Sequence, residues 1–485
     1  MRSGRPCEPK DCPSGFTRFL CAKNQDCLNL LLRQSRGSSH IFTDICDAAP
    51  LLAEFQPDAT FAQKNTAIQA TSICTSAWCL ACKCYCPWGP TQVDTSWSPC
   101  QDFSRLGNRE GRGGSRIHLL LLWIRWHLVW QTPLVIHENV PEFDLEIIEE
   151  NMSKDYHIFS VFCGPGDVGF AFCRRPRMYL AMTHKRKTRV HHNPVQCFWA
   201  LCGSLTSQRS TLETMIVASP QEVRQDQEFL AADRKVRPLP WFGPIRPGVR
   251  HRQGPIGRPG ALASSGFVDH SSGLVGRSVE AERHGAVIGP LGLEGRPSEP
   301  GVLDAMLGQA GSEGRPSVPG TLHGLVVCSG SVGGHPNPGA QTASSWHLLS
   351  RSERAHLREY MELWRQTHGT DPEAEPALVV NLGDNPGSGF CGWSAPTSRR
   401  SGFVLPVLRK GWTAMWLPSA GRWLSMGERL AVMGFPAYPA MAPLYGLQVP
   451  FSVPWKVAKH AVGNAMHVAN VGVWQAVVAA CVTLE

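Results

Sequence analysis

Cys100 stands in the run Ser96-Trp97-Ser98-Pro99-Cys100-Gln101-Asp102-Phe103-Ser104-Arg105-Leu106-Gly107, and its surroundings are those of a nucleophile. A thiol attacks carbon as the thiolate. In a tight turn at the end of a buried strand, facing a helix start or a cation, a cysteine has its pKa lowered toward that form. Pro99 stiffens the approach to the turn and Gly107 permits a sharp exit, which sets Cys100 at a loop tip. One cysteine is a weak sign without partners, because free cysteines are among the most often buried residues. Most of the 18 cysteines therefore read as small core residues.

Downstream, Leu134-Val135-Ile136-His137-Glu138-Asn139-Val140-Pro141 reads as a short β-branched strand ending in the carboxylate of Glu138. Ligand crevices of parallel sheets lie at the C-terminal ends of strands. The interval between Cys100 and Glu138 leaves room for one helical crossover, so both residues can face one pocket. Arg174, Arg175 and Arg177 precede a further strand and are either solvated rim charges or partners for an oxyanion or phosphate. The Arg109 to Arg116 stretch is either a solvated linker or a mobile loop touching phosphates through Arg109, Arg112 and Arg116. Lys185, Arg186 and Lys187 extend the basic patch, and His191 and His192 read as surface.

Cys74, Cys79, Cys82, Cys84 and Cys86 crowd together. Cys79-x-x-Cys82 has zinc-ligand spacing, and Cys84 and Cys86 could complete a thiolate set. A zinc site usually joins two separated pairs, whereas these four would need one tightly wrapped loop, so no metal is assigned.

The elements that must position these residues are those of an α/β protein. Phe16 to Leu20 and Ile41 to Ile45 read as strands and Cys27 to Arg33 as a helix, the beginning of a parallel unit. The apolar run Ile117 to Ile136 is broken by Arg125, His127 and Pro133, so no span of ~20 apolar residues is available to cross a bilayer. It reads as a buried helix feeding a buried strand. Leu145 to Met152 follows as a helix and Tyr156 to Phe162 as a strand. Ser350-x-x-Glu353 is a capping box for a helix with Leu357, Tyr360, Met361 and Trp364 on one face. The 485 residues could hold two or three domains, and 47 Lys plus Arg against 39 Asp plus Glu give +8, a tilt compatible with a polyanionic partner. Scattered cysteines without a signal peptide predict an intracellular protein with reduced thiols.

Pro99-Cys100-Gln101-x-Phe103-Ser104 with Gly107, then Glu138-Asn139-Val140, then Arg175-x-Arg177, resembles the ordered motifs of the cytosine-5 DNA methyltransferases. Cys173 stands where the family's arginine motif begins with glutamine. Arg422-x-Leu424 with Glu428 and Gly434-Phe435-Pro436, and Gly463-Asn464-Ala465-Met466 opening an apolar helix, resemble the family's last motifs. The resemblance covers roughly Phe16 to Tyr179 and Ser352 to Val482. It implies an incomplete doubly wound, mostly parallel sheet of the class I methyltransferase type, with a long low-complexity insertion.

It also implies a reaction. Cys100 would add to C6 of a cytosine turned out of its duplex, and Glu138 would hold or protonate N3. Arg177, with Arg175, would stabilise the base carbonyl and the phosphate beside it, and C5 would take methyl from S-adenosylmethionine. Asp44 would contact adenine of that cofactor, Asp102 and Phe103 would line its pocket, and Asn464 would help close it. No glycine-rich turn precedes Phe16, and Lys23 stands where the family's ribose-binding acid is sought, so the N-terminus reads as truncated or degenerate.

The expected layout is a partial cofactor-binding portion over 1–60, a catalytic core over 61–200, the insertion over 201–350 and a closing portion over 351–485. The insertion is rich in Gly, Pro, Ser and Arg and repeats Glu-Gly-Arg-Pro-Ser-x-Pro-Gly at Glu294 and Glu313, a composition that buries little. The partner implied is double-stranded DNA, with no membrane, the location nuclear or otherwise intracellular, and the chain taken as a monomer. A non-catalytic, truncated remnant that at most binds DNA and a tRNA cytosine methyltransferase are the alternatives.

Overall fold

The computed structural model describes residues 19–21, 28, 32, 40–49, 59–104, 107–206, 210–233, 345–386, 393, 395–397, 400–406, 408, 415–447, 450, 452–453 and 455–485. Residues 240–321 lie wholly outside these. So do the segment before Phe19, Lys23, and all of the expected Cys27 to Arg33 helix except Leu28 and Leu32.

Strands β1 (Phe19–Cys21) and β2 (His40–Phe42) pair in parallel. Helix α1 (Phe61–Ala70) starts at a capping box in which Thr60 and Gln63 satisfy each other's backbone N–H. The cysteine-rich stretch folds as an antiparallel hairpin, β3 (Ser76–Cys79) and β4 (Cys84–Pro87).

The central sheet has four strands, β5 (Val93–Trp97), β6 (Leu134–Asn139), β7 (Tyr156–Cys163) and β8 (Arg177–His184), in the order β5-β6-β8-β7. Helix α2 (Ile117–Trp130) crosses between β5 and β6, which run parallel. β8 is antiparallel to both β6 and β7. The sheet is thus mixed where a mostly parallel one was expected. The connection from β7 to β8 holds only a short 3-10 turn at Pro165–Val168, and parallel neighbours need a crossover of a dozen residues or more, usually a helix.

Every residue of β6 and all of β8 except Arg177 are buried, so both sheet faces are covered. Met178, Leu180, Met182 and Val135 pack with Ile117, Leu121 and Ile124 of α2 and with Ile147 and Ile148 of α3 (Glu146–Met152). α2 ends at Gln131 in the left-handed region, where Gln131 N–H still donates to the His127 carbonyl, and the Tyr156 hydroxyl lies 3.0 Å from the carbonyls of both His127 and Thr132. Helices α4 (Pro194–Leu205) and α9 (Val468–Cys481) pack on β7 and β8, with Phe198 edge-on to Trp474. The chain's last strand, Val482–Leu484, pairs with Thr188–Val190. No described helix is long and apolar enough to cross a membrane.

The C-terminal core gathers α6 (Arg351–His368), which carries the Ser350/Glu353 capping box and buries Leu357, Tyr360, Met361 and Trp364. It packs with the small sheet of Val380–Asn381, Met415–Leu417 and Arg422–Trp423, and with helices α7 (Met426–Val432) and α8 (Trp455–Asn464). Helix α5 (Pro220–Asp233) lies inside the expected insertion, yet it buries Val223 and Leu230, and its Asp226 accepts the Met426 N–H at the start of α7. Within 201–350, described structure therefore continues to Asp233 and resumes at Ser345, and residues 234–344 lie outside it.

Burial raises the Asp226 carboxyl to about 6, with Arg429 and the Met426 N–H opposing. An acid raised on folding contributes stability that is fully present below its unfolded pKa and is lost as pH rises through its folded one. Stability is expected to fall between about pH 4 and pH 6 on this account, and Asp226→Asn to flatten that fall. Tm measured across this range checks it; an unchanged slope in the variant would remove Asp226 as the cause.

Candidate active site

Parallel pairing sets Trp97, the last residue of β5, opposite Glu138 of β6. Three residues beyond β5 comes Cys100, half-buried, its carbonyl accepting from the Phe103 and Ser104 N–H groups at 3.1 and 2.7 Å. The tip is therefore a hydrogen-bonded turn at the C-terminal end of a strand, as Pro99 and Gly107 predict. Gly107 is needed for a close approach. A Cβ there would stand 1.9 Å from the Gln101 carbonyl oxygen, next to which the chain folds back so that Asn108 N–H donates to it at 3.0 Å.

Because β8 runs antiparallel to β6 with Met178 opposite Asn139, its first residue, Arg177, arrives at the same end. Arg177 Nε lies 2.9 Å from Glu138 Oε1, both side chains largely shielded from water. Burial drives the Glu138 carboxyl up, opposed by Arg177 and then Arg175. Burial also drives the Cys100 thiol up, with Arg177 pulling it down and Glu138 pushing it further up. Cys100, Glu138 and Arg177 thus share one electrostatic environment. Burial thus biases both the thiol and the carboxyl toward their neutral forms, and Arg177 opposes it in each.

Arg175 is placed differently. It is buried, and its guanidinium donates to the carbonyls of Ala465 at 2.7 Å, Gly463 at 3.1 Å and Leu408 at 3.5 Å. It ties the Gly463 to Ala465 turn to the start of β8, and it acts on the site as a fixed charge two residues from Arg177. Of the basic loop, Arg112 is engaged within the chain: it pairs with Asp144, Glu146 and Glu150 at 2.8–3.1 Å and lies over Phe61. Arg109 and Arg116 remain exposed.

Sequence reasoning missed the network that joins the Cys100 turn to the Glu138 strand. Asn139 Nδ2 donates to Ser98 Oγ at 2.8 Å, Val140 N–H donates back to Asn139 Oδ1 at 2.8 Å, and Ser98 Oγ lies 3.3 Å from His137 Nε2. Trp123 of α2 packs on His137 at 4.5 Å and donates its indole N–H to Ser96 Oγ. Burial lowers His137 to about 3, so it is neutral here. The signal was available as register: Ser96 pairs opposite His137, which brings the residues flanking Cys100 and Glu138 side by side.

The residues expected around a methyl donor are dispersed. Asp44 follows β2 with its carboxylate partly exposed, one oxygen accepting from Cys46 N–H at 3.0 Å. Asp102 is buried. Its Oδ2 accepts from Arg116 N–H at 3.1 Å at the start of α2, inside the wrap of the Gly111 to Arg116 loop. Phe103 packs edge-on against Phe143 in the core. Asn464 closes α8, and its side chain lies outside the described residues. Asp44 thus lies just beyond the end of β2, while Asp102 and Phe103 are buried beside the start of α2 and against Phe143.

A Cβ on Gly114 would stand 2.2 Å from Asp102 Cγ. Gly114→Ala is expected to displace the Asp102 loop and cost about 1–3 kcal/mol, read as a lower urea midpoint. A midpoint equal to that of the unmodified chain would show the loop to be free to yield.

No protein-family model matches the chain, and no curated protein matches it. Solved structures resemble parts of it. One is a DNA modification methyltransferase encoded within an E. coli prophage, at 18% identity and a TM-score of 0.22, covering 35% of this chain and 40% of that one. The Entamoeba histolytica methyltransferase EhMeth is similar at 14% identity and a TM-score of 0.22, covering 42% and 61%. The S. pombe Dnmt2 methyltransferase is similar at 13% identity and a TM-score of 0.21, covering 42% and 61%. The matches thus span less than two thirds of each neighbour.

Proposed function

We propose that the chain carries out the cysteine-addition chemistry of a cytosine-5 methyltransferase on a cytosine base turned out of DNA. The observation that supports it is the meeting of Cys100, Glu138 and Arg177 at one end of β5, β6 and β8, with Arg177 holding Glu138 at 2.9 Å. Cys100 Sγ, as thiolate, forms a bond to C6. The C5–C6 π pair moves toward C4, the C4–N3 π pair moves onto N3, and N3 takes the proton of the neutral Glu138 carboxyl. The product is a neutral enamine with a nucleophilic C5, which avoids a ring carbanion. Arg177 receives the Glu138 carboxylate so formed and favours the thiolate before attack. Arg175 holds the Gly463 to Ala465 turn against the start of β8 and so positions Arg177.

S-adenosylmethionine, when bound, would supply the methyl group, and Asp44, just beyond β2, is the residue we propose to contact it. No step above depends on it, so the test needs no donor. An enamine takes a proton from water at C5, and duplex DNA tritiated at cytosine C5 is expected to release tritium on incubation with the chain alone. Release indistinguishable from buffer in a folded preparation would overturn the proposal. Release from tritiated transfer RNA but not from DNA would transfer the same chemistry to an RNA substrate.

A further inference from the structure

We propose that His40, Cys79, Cys82 and Cys86 form a closed, tetrahedral binding site for one zinc ion. Their side-chain donor atoms all lie within 4.8 Å of one another, and Cys82 Sγ is 3.4 Å from His40 Nδ1. A tetrahedral site with zinc–sulfur bonds of about 2.3 Å has ligand-to-ligand edges of roughly 3.8 Å, so the four donors need only small movements to close on a metal.

The backbone is arranged for it. Cys79 ends β3 and Cys86 lies in β4, while His40 opens β2, so the site joins two elements distant in the chain. Lys83, directly after Cys82, takes a positive φ of 57°, and its N–H donates to the Cys79 carbonyl at 2.9 Å. A non-glycine residue in the left-handed region is uncommon, and here it turns the hairpin tip so that both sulfurs of Cys79-x-x-Cys82 face the same side. Cys79 Sγ accepts from the Cys82 N–H and the Ile41 N–H, each at 3.4 Å. Backbone donors aimed at a sulfur spread the charge of a thiolate, as outer hydrogen bonds do around metal ligands.

In the sequence pattern Cys84 and Cys86 could complete a thiolate set with Cys79 and Cys82, though spacing alone assigns no metal. The structure leaves Cys84 outside the set, with its sulfur 3.6 Å from Cys86 Sγ, and His40 takes its place. Three thiolates and an imidazole suit zinc in preference to magnesium or calcium, which take oxygen ligands. Four protein donors leave no open position, so the ion is structural: it clamps the hairpin to the strand that leads to Asp44.

The test uses the full chain, purified without chelator. Metal analysis is expected to give about one zinc per chain, and Cys79→Ser or His40→Ala to reduce this at least about tenfold, while Cys84→Ser and Cys74→Ser leave it unchanged. Exchange of cobalt(II) into the unmodified chain is expected to give the visible bands of a tetrahedral ion with thiolate-to-cobalt charge transfer, which guards against variants that fail to fold. A folded chain that holds no zinc and gives no such cobalt spectrum overturns the proposal, as does zinc whose amount is the same in the Cys79 and His40 variants.

Discussion

Cys100→Ala is expected to abolish tritium release from cytosine C5, because no other described thiol stands at the end of β5, and Glu138→Gln to slow it by about 10²–10⁴-fold. The two losses differ in their pH dependence. Reaction requires an ionised Cys100 and a protonated Glu138, and both groups are raised by burial, the acid from 4.5 and the thiol from 9.0. Between their two pKa values, each unit of pH yields more thiolate and proportionately less neutral acid. The rate is therefore flat there and falls once the thiol is fully ionised. Glutamine cannot donate, so the residual rate of Glu138→Gln should climb with pH across the same range and level off only at the thiol's own pKa. A variant profile parallel to that of the unmodified chain would remove Glu138 from the proton transfer. Arg177→Gln should raise both pKa values, since it takes away the cation that favours each anion.

The core of that site was legible because its chemistry is local. A proline and a glycine bracket Cys100, a β-branched run ends at Glu138, and one crossover separates them, so strand ends alone predicted their meeting. Non-local features were hidden. The antiparallel entrance of β8 follows from a short β7–β8 connection, and it is this direction that delivers Arg177 and not Arg175 to Glu138. Arg175 reads identically in sequence, yet it is spent on carbonyls of the Gly463 to Ala465 turn, which only tertiary packing brings near. Asp102 and Phe103 sit beside Cys100 in sequence, but their side-chain neighbours come from elsewhere: Asp102 lies against the Gly114 loop and Phe103 packs on Phe143. His40 could not be matched to the cysteines, because a lone histidine far upstream carries no spacing signal. For Arg112 neither reading of its loop, solvated linker or phosphate contact, could anticipate its acidic partners, which belong to another helix and its neighbouring segment.

Glu428→Ala is expected to cost about 3–5 kcal/mol of stability, far more than a typical surface change. Glu428 is fully buried and accepts from both Arg422 Nη atoms at 2.8 Å, from Ser425 N–H at 2.7 Å and from Ala218 N–H at 3.0 Å. Alanine would leave a buried guanidinium and two backbone donors without their acceptor, which is worse than having no polar group there at all. Glu428→Gln keeps an acceptor and should cost less. The pair Arg422→Met with Glu428→Leu should recover part of the loss, because it removes the uncompensated charge as well as its partner. Urea unfolding of the three variants gives the ordering, and a cost below about 1 kcal/mol for Glu428→Ala would show that water reaches the pair. The effect should also reach the active site. The same capping box starts α7, after which Gly434 takes a φ of 79° where a Cβ would stand 3.3 Å from Ala469 N of α9. Met433 accepts from Val468 N–H just beyond the turn whose carbonyls hold Arg175. Loosening α7 should therefore slow C5 exchange more than the loss of folded protein accounts for, measured at a temperature where both chains remain folded.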